Sequence, residues 1–450
     1  MRPGSHRVTL LRIYCVIVLV LGCTLARADD WPQWMGPRRD GVWRETGIVE
    51  SIPATGLPVK WRVPVKGGYS GPAVAGGRVY LTDYDRQEGE ISNAPNDRTR
   101  LAGRERILCF DAATGALLWK HEYACPYAIS YAAGPRCTPT VADGKVYVLG
   151  AEGHLTCLDA LTGAVAWAKD FQKDYAAPAP IWGFCGHPLI DGGKLICLVG
   201  GEGSVAVAFD KDTGRELWRA LSASESGYCP PTMIESEGMR QLLIWDADRL
   251  NALDPATGKV YWSEPLKPAY GMSIMAPQVA TTTQGRVLYA GGIGRVAALY
   301  KLSADGPGAT VLWRGEPKTA VYCANSTPFI AGDTLYGCDC DTGMLTAVDL
   351  ATGARLWETP DPTMGGTRRG RHGTAFLVRQ GGRVWLFSET GDLILAELSP
   401  AGYRELGRMH VIAPTNECFG REVVWSHPAF AGRCVFVRND RELVCVSAAE

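Results

Sequence analysis

Three of the seven histidines, His187, His372 and His427, lie at equivalent points of an internal repeat and have arginine, tryptophan or tyrosine close by. Imidazole nitrogens can bind Zn²⁺ or Cu²⁺, whereas guanidinium and indole groups hold anionic or aromatic ligands. If these side chains lie at the water-filled mouth of a channel, they can also be hydrated without binding any ligand, and that alternative stays open. The nine candidate ligand contacts are Arg136, Trp182, His187, Tyr228, Asn325, Arg371, His372, Trp425 and His427.

A proline marks the repeated position at which these candidates gather. In the repeat that lacks the proline, Arg371 and His372 take the same place. If the strand that starts here is the innermost of each repeat, the side chains converge on one rim of a central channel. In the other seven repeats the residue before the proline is Gly71, Thr138, His187, Cys229, Ala276, Thr327 or His427.

The histidines come from the third, seventh and eighth repeats, which are not all neighbours. We therefore predict no metal site, because three imidazoles would have to approach one ion to within about 2 Å. An anionic or aromatic ligand held by Arg136, Arg371 and the tryptophan faces is the favoured alternative. No catalytic residue is identified.

A repeated motif, Asp-x-x-Thr-Gly-x-x-x-Trp, indicates the elements that would position these residues. Tryptophans recur about every 49 residues, which divides residues 59–450 into eight units, each containing four short strands. Such a repeat predicts an all-β protein, an eight-bladed β-propeller whose tryptophans dock each blade on the next. The motif occurs at Asp111 to Trp119, Asp159 to Trp167, Asp210 to Trp218, Asp254 to Trp262 and Asp349 to Trp357.

The eighth unit stops before its tryptophan strand, whereas Lys60 to Val63 forms a tryptophan strand with no repeat before it. Pairing the two would close the ring and leave no free sheet edge. We therefore predict one propeller domain over residues 59–450, closed by an N-terminal strand. Residues 29–58 form an N-terminal extension whose Trp31, Trp34 and Trp43 are expected to pack on the ring.

Residues 1–28 predict a secretory signal peptide, with Arg2, Arg7 and Arg12 before an apolar stretch and a cleavage site after Ala28. Lipid attachment at Cys23 is a less favoured alternative. Because no later apolar run is long enough to span a bilayer, the protein is expected to be periplasmic or extracellular without a transmembrane segment.

Composition limits the class of partner. A formal net charge of −1 gives no electrostatic reason to expect nucleic acid, and a hydrophobic fraction of 46% excludes disorder. Fifteen cysteines occur, 13 of them after Ala28, and their pairing stays open. We expect a monomer whose partner is an envelope protein or a small molecule.

The repeat resembles the pyrroloquinoline-quinone-type repeat of eight-bladed propellers. The segment from Trp31 to Gly41 is similar to the leader of secreted planctomycete-type members of that group. The group contains quinoprotein dehydrogenases and BamB-like outer-membrane assembly factors, so the resemblance implies the fold and leaves two functions open.

The first function is a non-enzymatic binding or scaffold protein of the cell envelope, engaged at the channel mouth, and this is the favoured interpretation. The second is a quinoprotein alcohol or sugar dehydrogenase. The resemblance implies that such an enzyme would need pyrroloquinoline quinone (PQQ), a Ca²⁺ held by Glu, Asn and Asp, and an Asp base. Asn325 and Glu422 could contribute, but the adjacent cysteine pair typical of the quinone-dependent alcohol dehydrogenases is missing.

Overall fold

The computed structural model describes residues 29–366 and 370–450, and the predicted signal peptide lies outside these residues. The described chain is almost entirely β-structure, as predicted, and forms eight four-stranded antiparallel sheets in a ring. Two short helices, α1 (Phe171–Asp174) and α2 (Asp361–Met364), and a 3₁₀ turn (Ala269–Gly271) lie in connections between blades.

Every blade runs from an inner strand next to the channel to an outer strand at the rim. The first four are blade one with β2 (Ala73–Ala75), β3 (Arg78–Glu88), β4 (Thr99–Asp111) and β5 (Leu117–Ala124); blade two with β7 (Thr140–Ala142), β8 (Lys145–Leu149), β9 (His154–Asp159) and β10 (Val165–Asp170); blade three with β11 (Leu189–Asp191), β12 (Lys194–Leu198), β13 (Ala206–Asp210) and β14 (Glu216–Ala220); and blade four with β15 (Thr232–Ser236), β16 (Met239–Trp245), β17 (Arg249–Leu253) and β18 (Val260–Pro265).

Blades five to eight repeat the pattern. They are blade five with β19 (Gln278–Thr282), β20 (Gly285–Gly292), β21 (Val296–Leu302) and β22 (Ala309–Arg314); blade six with β23 (Phe329–Ala331), β24 (Thr334–Cys338), β25 (Leu345–Asp349) and β26 (Arg355–Thr359); blade seven with β27 (Ala375–Gln380), β28 (Arg383–Ser388), β29 (Asp392–Ser399) and β30 (Gly402–His410); and blade eight with β33 (Ala429–Ala431), β34 (Cys434–Arg438), β35 (Glu442–Ser447) and the N-terminal strand β1 (Val59–Pro64).

Blade eight joins the first strand of the fold to the last. Strand β1 pairs antiparallel with β35, with Val63 opposite Leu443, and supplies the outermost strand of that sheet. This confirms the predicted closure by an N-terminal strand. Outside the eight blades, β6 (Tyr127–Ile129) pairs with β4, and β31 (Asn416–Cys418) pairs with β32 (Arg421–Val423).

The repeated motif joins neighbouring blades through its turn. In blade two, Asp159 Oδ1 accepts hydrogen bonds from the backbone N–H of Thr162, at 2.8 Å, and from its hydroxyl. Gly163 follows with φ +74°, and a Cβ on it would lie 2.6 Å from the ring of Trp119 in blade one. The Trp119 indole N–H donates to the carbonyl oxygen of Ala160, at 3.1 Å. The motif therefore needs glycine both for its φ and for the approach of the indole.

Blade four departs from this docking pattern. The Trp262 indole N–H donates to Gln241 Oε1 within its own blade, at 2.9 Å. In blade five the turn between β21 and β22 spans Ser303 to Gly308, and this longer turn lacks the Asp-x-x-Thr-Gly sequence that receives the tryptophan in other blades.

The N-terminal extension crosses the ring at the ends of the inner strands. Trp31 bridges to Val74 in β2, and Val42 bridges to Arg379 in β27. Trp31, Trp34 and Trp43 are each only 2 to 3% exposed, which confirms that they pack on the ring. Asp30 accepts a hydrogen bond from Gly76, in the hairpin that follows β2. The extension therefore lies at the hairpin end of the channel, opposite the end at which the inner strands begin.

Candidate functional site

A cavity of about 380 Å³ opens where the inner strands begin. It occupies the rim on which the proline-marked positions were expected to converge. Whether these residues bind a ligand stays a prediction, but the structure brings all nine candidates to the wall of this one cavity: Arg136, Trp182, His187, Tyr228, Asn325, Arg371, His372, Trp425 and His427.

Two of the histidines form a pair at the base of the cavity. The rings of His187 and His427 lie edge to face, with their centroids 6.3 Å apart. Nδ1 of His187 accepts a hydrogen bond from the backbone N–H of Thr138, at 2.9 Å, so the neutral ring carries its proton on Nε2. Burial lowers the pKa of His187 well below its usual range and lowers that of His427 to about 3. Both rings are therefore uncharged at neutral pH.

His372 belongs to a different part of the wall. Its ring stacks on Phe419, with centroids 4.8 Å apart. Burial, followed by the charges of Arg371 and Arg421, lowers the pKa of His372 to about 4. Within residues 29–366 and 370–450, no group of three His, Cys, Asp or Glu side chains is placed to hold a metal ion.

Aromatic rings line much of the cavity wall. Trp182 and Tyr228 make an edge-to-face contact at 5.7 Å, and Tyr131 contacts Trp425 at 6.4 Å. The indole N–H of Trp425 donates to Glu389 Oε2, at 3.0 Å, which holds that ring in place. Such faces suit a planar or apolar ligand body.

The charges that face the cavity are positive. Arg136 donates to the backbone carbonyl oxygens of Ser130 and Tyr131, at 2.8 and 2.7 Å, and lies over the ring of Tyr69 at 5.1 Å. Arg371 is exposed at the mouth. Neither arginine forms an ion pair within the described residues, and no Asp or Glu lines the cavity. The site therefore has a positive potential that no carboxylate in its wall offsets.

Several wall residues were missed by the sequence interpretation. Trp34 forms part of the base although it precedes the first repeat, so the repeat register could not place it. Tyr131 and Phe419 reach the wall from connections with φ of +49° and +51°, a backbone state that non-glycine residues adopt only where surrounding structure imposes it. Their aromatic character was the only available signal.

The long insertion in blade one also reaches the cavity. Residues 89–98, between β3 and β4, fold back over the mouth so that Pro95 and Asn96 line it. Asn93 Nδ2 donates to Asn416 Oδ1 at 2.9 Å, and the Ser130 hydroxyl donates to the carbonyl oxygen of Ala94 at 3.0 Å.

Three residues that line the cavity each have a buried polar atom without a hydrogen-bond partner in the described part of the chain. These atoms are Nε1 of Trp34, the hydroxyl of Tyr131 and Nδ2 of Asn325. A buried donor without an acceptor carries a desolvation cost, which a ligand oxygen would remove.

The wall does not suit PQQ with calcium. A Ca²⁺ ion takes six to eight oxygen ligands, several of them carboxylates. The dehydrogenase hypothesis also requires an Asp base. Asn325 lines the cavity, but Glu422 lies exposed on β32 and does not. Because no carboxylate of residues 29–366 or 370–450 lines the wall, the described residues supply neither the calcium ligands nor the base.

The fold and the cavity define an eight-bladed propeller with a central pocket that opens where the inner strands begin. A family model described as outer membrane protein assembly factor BamB matches residues 103–359, more than half of the chain. The chain belongs to this family. No match was found among curated protein sequences.

Solved structures show the same fold at low sequence identity. BamB from Moraxella catarrhalis is 17% identical with a TM-score of 0.51, and the match covers 82% of this chain and 97% of that one. Quinohemoprotein alcohol dehydrogenase from Comamonas testosteroni is 13% identical with a TM-score of 0.60, covering 93% and 80%. A europium-containing methanol dehydrogenase is 13% identical with a TM-score of 0.58, covering 93% and 89%. These matches support the propeller and leave its function open.

Proposed function

We propose that the protein is a non-enzymatic binding protein of the cell envelope that holds an anionic aromatic molecule in the central cavity. The observation that carries this proposal is the composition of the wall, which among the described residues combines tryptophan and tyrosine faces with two arginines and no carboxylate. Apolar rings accept the planar body of a ligand, and guanidinium groups that have no carboxylate partner favour an anionic group on that ligand.

Family membership supports the envelope location. The family description names outer membrane protein assembly, which agrees with the predicted signal peptide and a periplasmic or extracellular location. No helix in the described residues is long and apolar enough to cross a membrane. An envelope protein bound at the mouth, near Arg371 and the loop 89–98, is compatible with the same cavity.

The alternative, a quinoprotein alcohol or sugar dehydrogenase, is supported by fold alone. Its direct test is to incubate the purified protein with PQQ and Ca²⁺ and to measure bound-quinone absorbance and alcohol- or sugar-dependent dye reduction. We expect no dye reduction, because the cavity wall contains no carboxylate to serve as base. Dye reduction that disappears on Ca²⁺ chelation would overturn the binding-protein proposal.

A matched pair of fluorescent probes tests the binding proposal. Anilinonaphthalene sulfonate and phenylnaphthylamine share an aromatic body, and only the first carries a negative charge. We expect the sulfonate to bind at a single site and more tightly than the neutral amine. Added salt should weaken the sulfonate selectively, because part of its binding is charge attraction near the mouth.

The decisive variant is Arg371→Gln, because this side chain is exposed and its loss leaves the buried wall intact. We expect about threefold weaker sulfonate binding and unchanged amine binding, the size typical of one partly exposed charge interaction. Arg404→Gln is the matched control, since it removes an exposed arginine on blade seven that does not line the cavity. No saturable sulfonate binding, or equal effects of the two variants, would overturn the proposal.

A further inference from the structure

The N-terminal extension closes one end of the channel. The carbonyl oxygen of Pro32 accepts a hydrogen bond from Val141 in blade two, at 2.8 Å. With the bridges to β2 and β27 described above, the extension contacts the inner strands of blades one, two and seven. Across the ring, Arg39 of the extension donates to the carbonyl oxygen of Pro231, just before β15 of blade four, at 3.4 Å. The cavity is thus a cup whose base comes from outside the repeats.

Trp34 is the part of the extension that faces into this cup. Its ring stacks on His187, with centroids 4.9 Å apart and planes 11° apart, and meets His427 edge-on at 5.8 Å. The side chain is 3% exposed and lines the cavity. Its indole N–H has no acceptor in the described residues. A buried indole normally donates to a partner, so this N–H is an unsatisfied hydrogen-bond donor at the base of the cup.

Arg39 holds Trp34 from the same extension. Its guanidinium donates to the carbonyl oxygens of Pro188, at 2.9 Å, and His187, at 3.2 Å, and lies 5.2 Å from the Trp34 ring centroid. Burial lowers the pKa of Arg39 to about 10, which leaves it charged at neutral pH. No carboxylate pairs with it in the described residues, so a third positive charge lies beneath the cup.

We propose that Trp34 is a ligand-contacting residue whose indole N–H donates to the anionic group of the bound molecule, with Arg39 as the positioning residue that fixes the ring. This assignment rests on the proposed function and identifies the atom that donates a hydrogen bond to the anionic group of the ligand. The base presents donors, since Nε2 of His187 also carries a proton, and it presents no carboxylate that would repel an oxyanion.

The test uses the same two probes on Trp34→Phe, which keeps a ring against His187 and removes the N–H. We expect about tenfold weaker binding of anilinonaphthalene sulfonate, the size of one hydrogen bond to a charged group. Phenylnaphthylamine binding should change less than twofold. The control is Trp43→Phe, which alters an equally buried indole of the same extension that lies outside the cavity. A Trp34→Phe protein that binds the sulfonate like the parent would overturn the inference.

A second measurement reports on the cup without any ligand. Trp34→Ala should open the base and increase the rate at which diethyl pyrocarbonate modifies His187 at least tenfold, as mapped by peptide mass spectrometry. Trp34→Phe should keep His187 protected. An unchanged rate in a folded Trp34→Ala protein would show that Trp34 does not close the channel. If the parent binds no sulfonate, the proposed function fails, and the labelling result still decides whether the extension forms the base.

Discussion

Replacing His427 by glutamine should make the protein less sensitive to acid. The ring of His427 packs against Phe376, at 4.2 Å between centroids, and against Trp34 and His187. Burial lowers its folded-state pKa from 6.5 to about 3. The unfolded chain therefore takes up the proton first, so stability present above pH 6.5 is lost as the pH falls towards 3.

The size of this effect follows from the two pKa values. At pH 4.5 the unfolded histidine is two pH units below its pKa, whereas the folded one is still almost fully neutral. At 1.36 kcal/mol per unit, the expected loss of unfolding free energy between pH 7.5 and pH 4.5 is about 3 kcal/mol for this residue alone. Glutamine cannot take up the proton, so the His427→Gln protein should lose about 3 kcal/mol less than the parent over the same range.

Urea unfolding followed by tryptophan fluorescence at several pH values measures the difference. Asn325→Ala is the control, because it removes a neutral side chain from the same cavity and should shift the whole pH profile without changing its slope. Parallel profiles for the parent and His427→Gln would refute the reasoning. That result would mean that the His427 ring takes up its proton in the cavity as readily as in the unfolded chain.

Two further predictions concern the ring itself. Gly163→Ala should lower the unfolding free energy by about 3 kcal/mol, because the new Cβ would lie 2.6 Å from Trp119 and the backbone is left-handed; Gly144→Ala, with the same φ of +74° and open space around it, should lose only about 1 kcal/mol. Equal losses in urea unfolding would show that the motif glycine serves its turn alone. Trp61→Ala should cost about 3 kcal/mol, since this 9% exposed indole docks the closing strand β1 on blade one; a loss below about 1 kcal/mol would contradict its role in closure.

The ring could be predicted because each blade repeats the same local chemistry. An Asp-x-x-Thr-Gly turn and a following tryptophan define both a hairpin and its neighbour, so spacing alone yields the number of blades. Proline then marks the start of seven of the eight inner strands, and this register was sufficient to gather residues as distant as Arg136 and Trp425 at one cavity.

The base and lid of the cavity could not be predicted in the same way. Trp34 lies in an extension that belongs to no repeat, and its position is set by contacts with four or more blades. The loop 89–98 is an insertion without internal periodicity. Nothing local in either segment indicates which end of the channel it covers, because that choice is made by tertiary contacts.

The pairing of β1 with β35 also determines at which stage of folding the ring can close. These strands are separated by almost the full length of the chain, and contacts of such high sequence separation form late, after the entropy of closing a long loop has been overcome. Strand β1 must therefore stay unpaired until β35 has emerged and blade eight can form. A chain delivered across a membrane from its N-terminus would pass through this open-ring stage on the far side with an unpaired strand edge, and such edges are prone to aggregation.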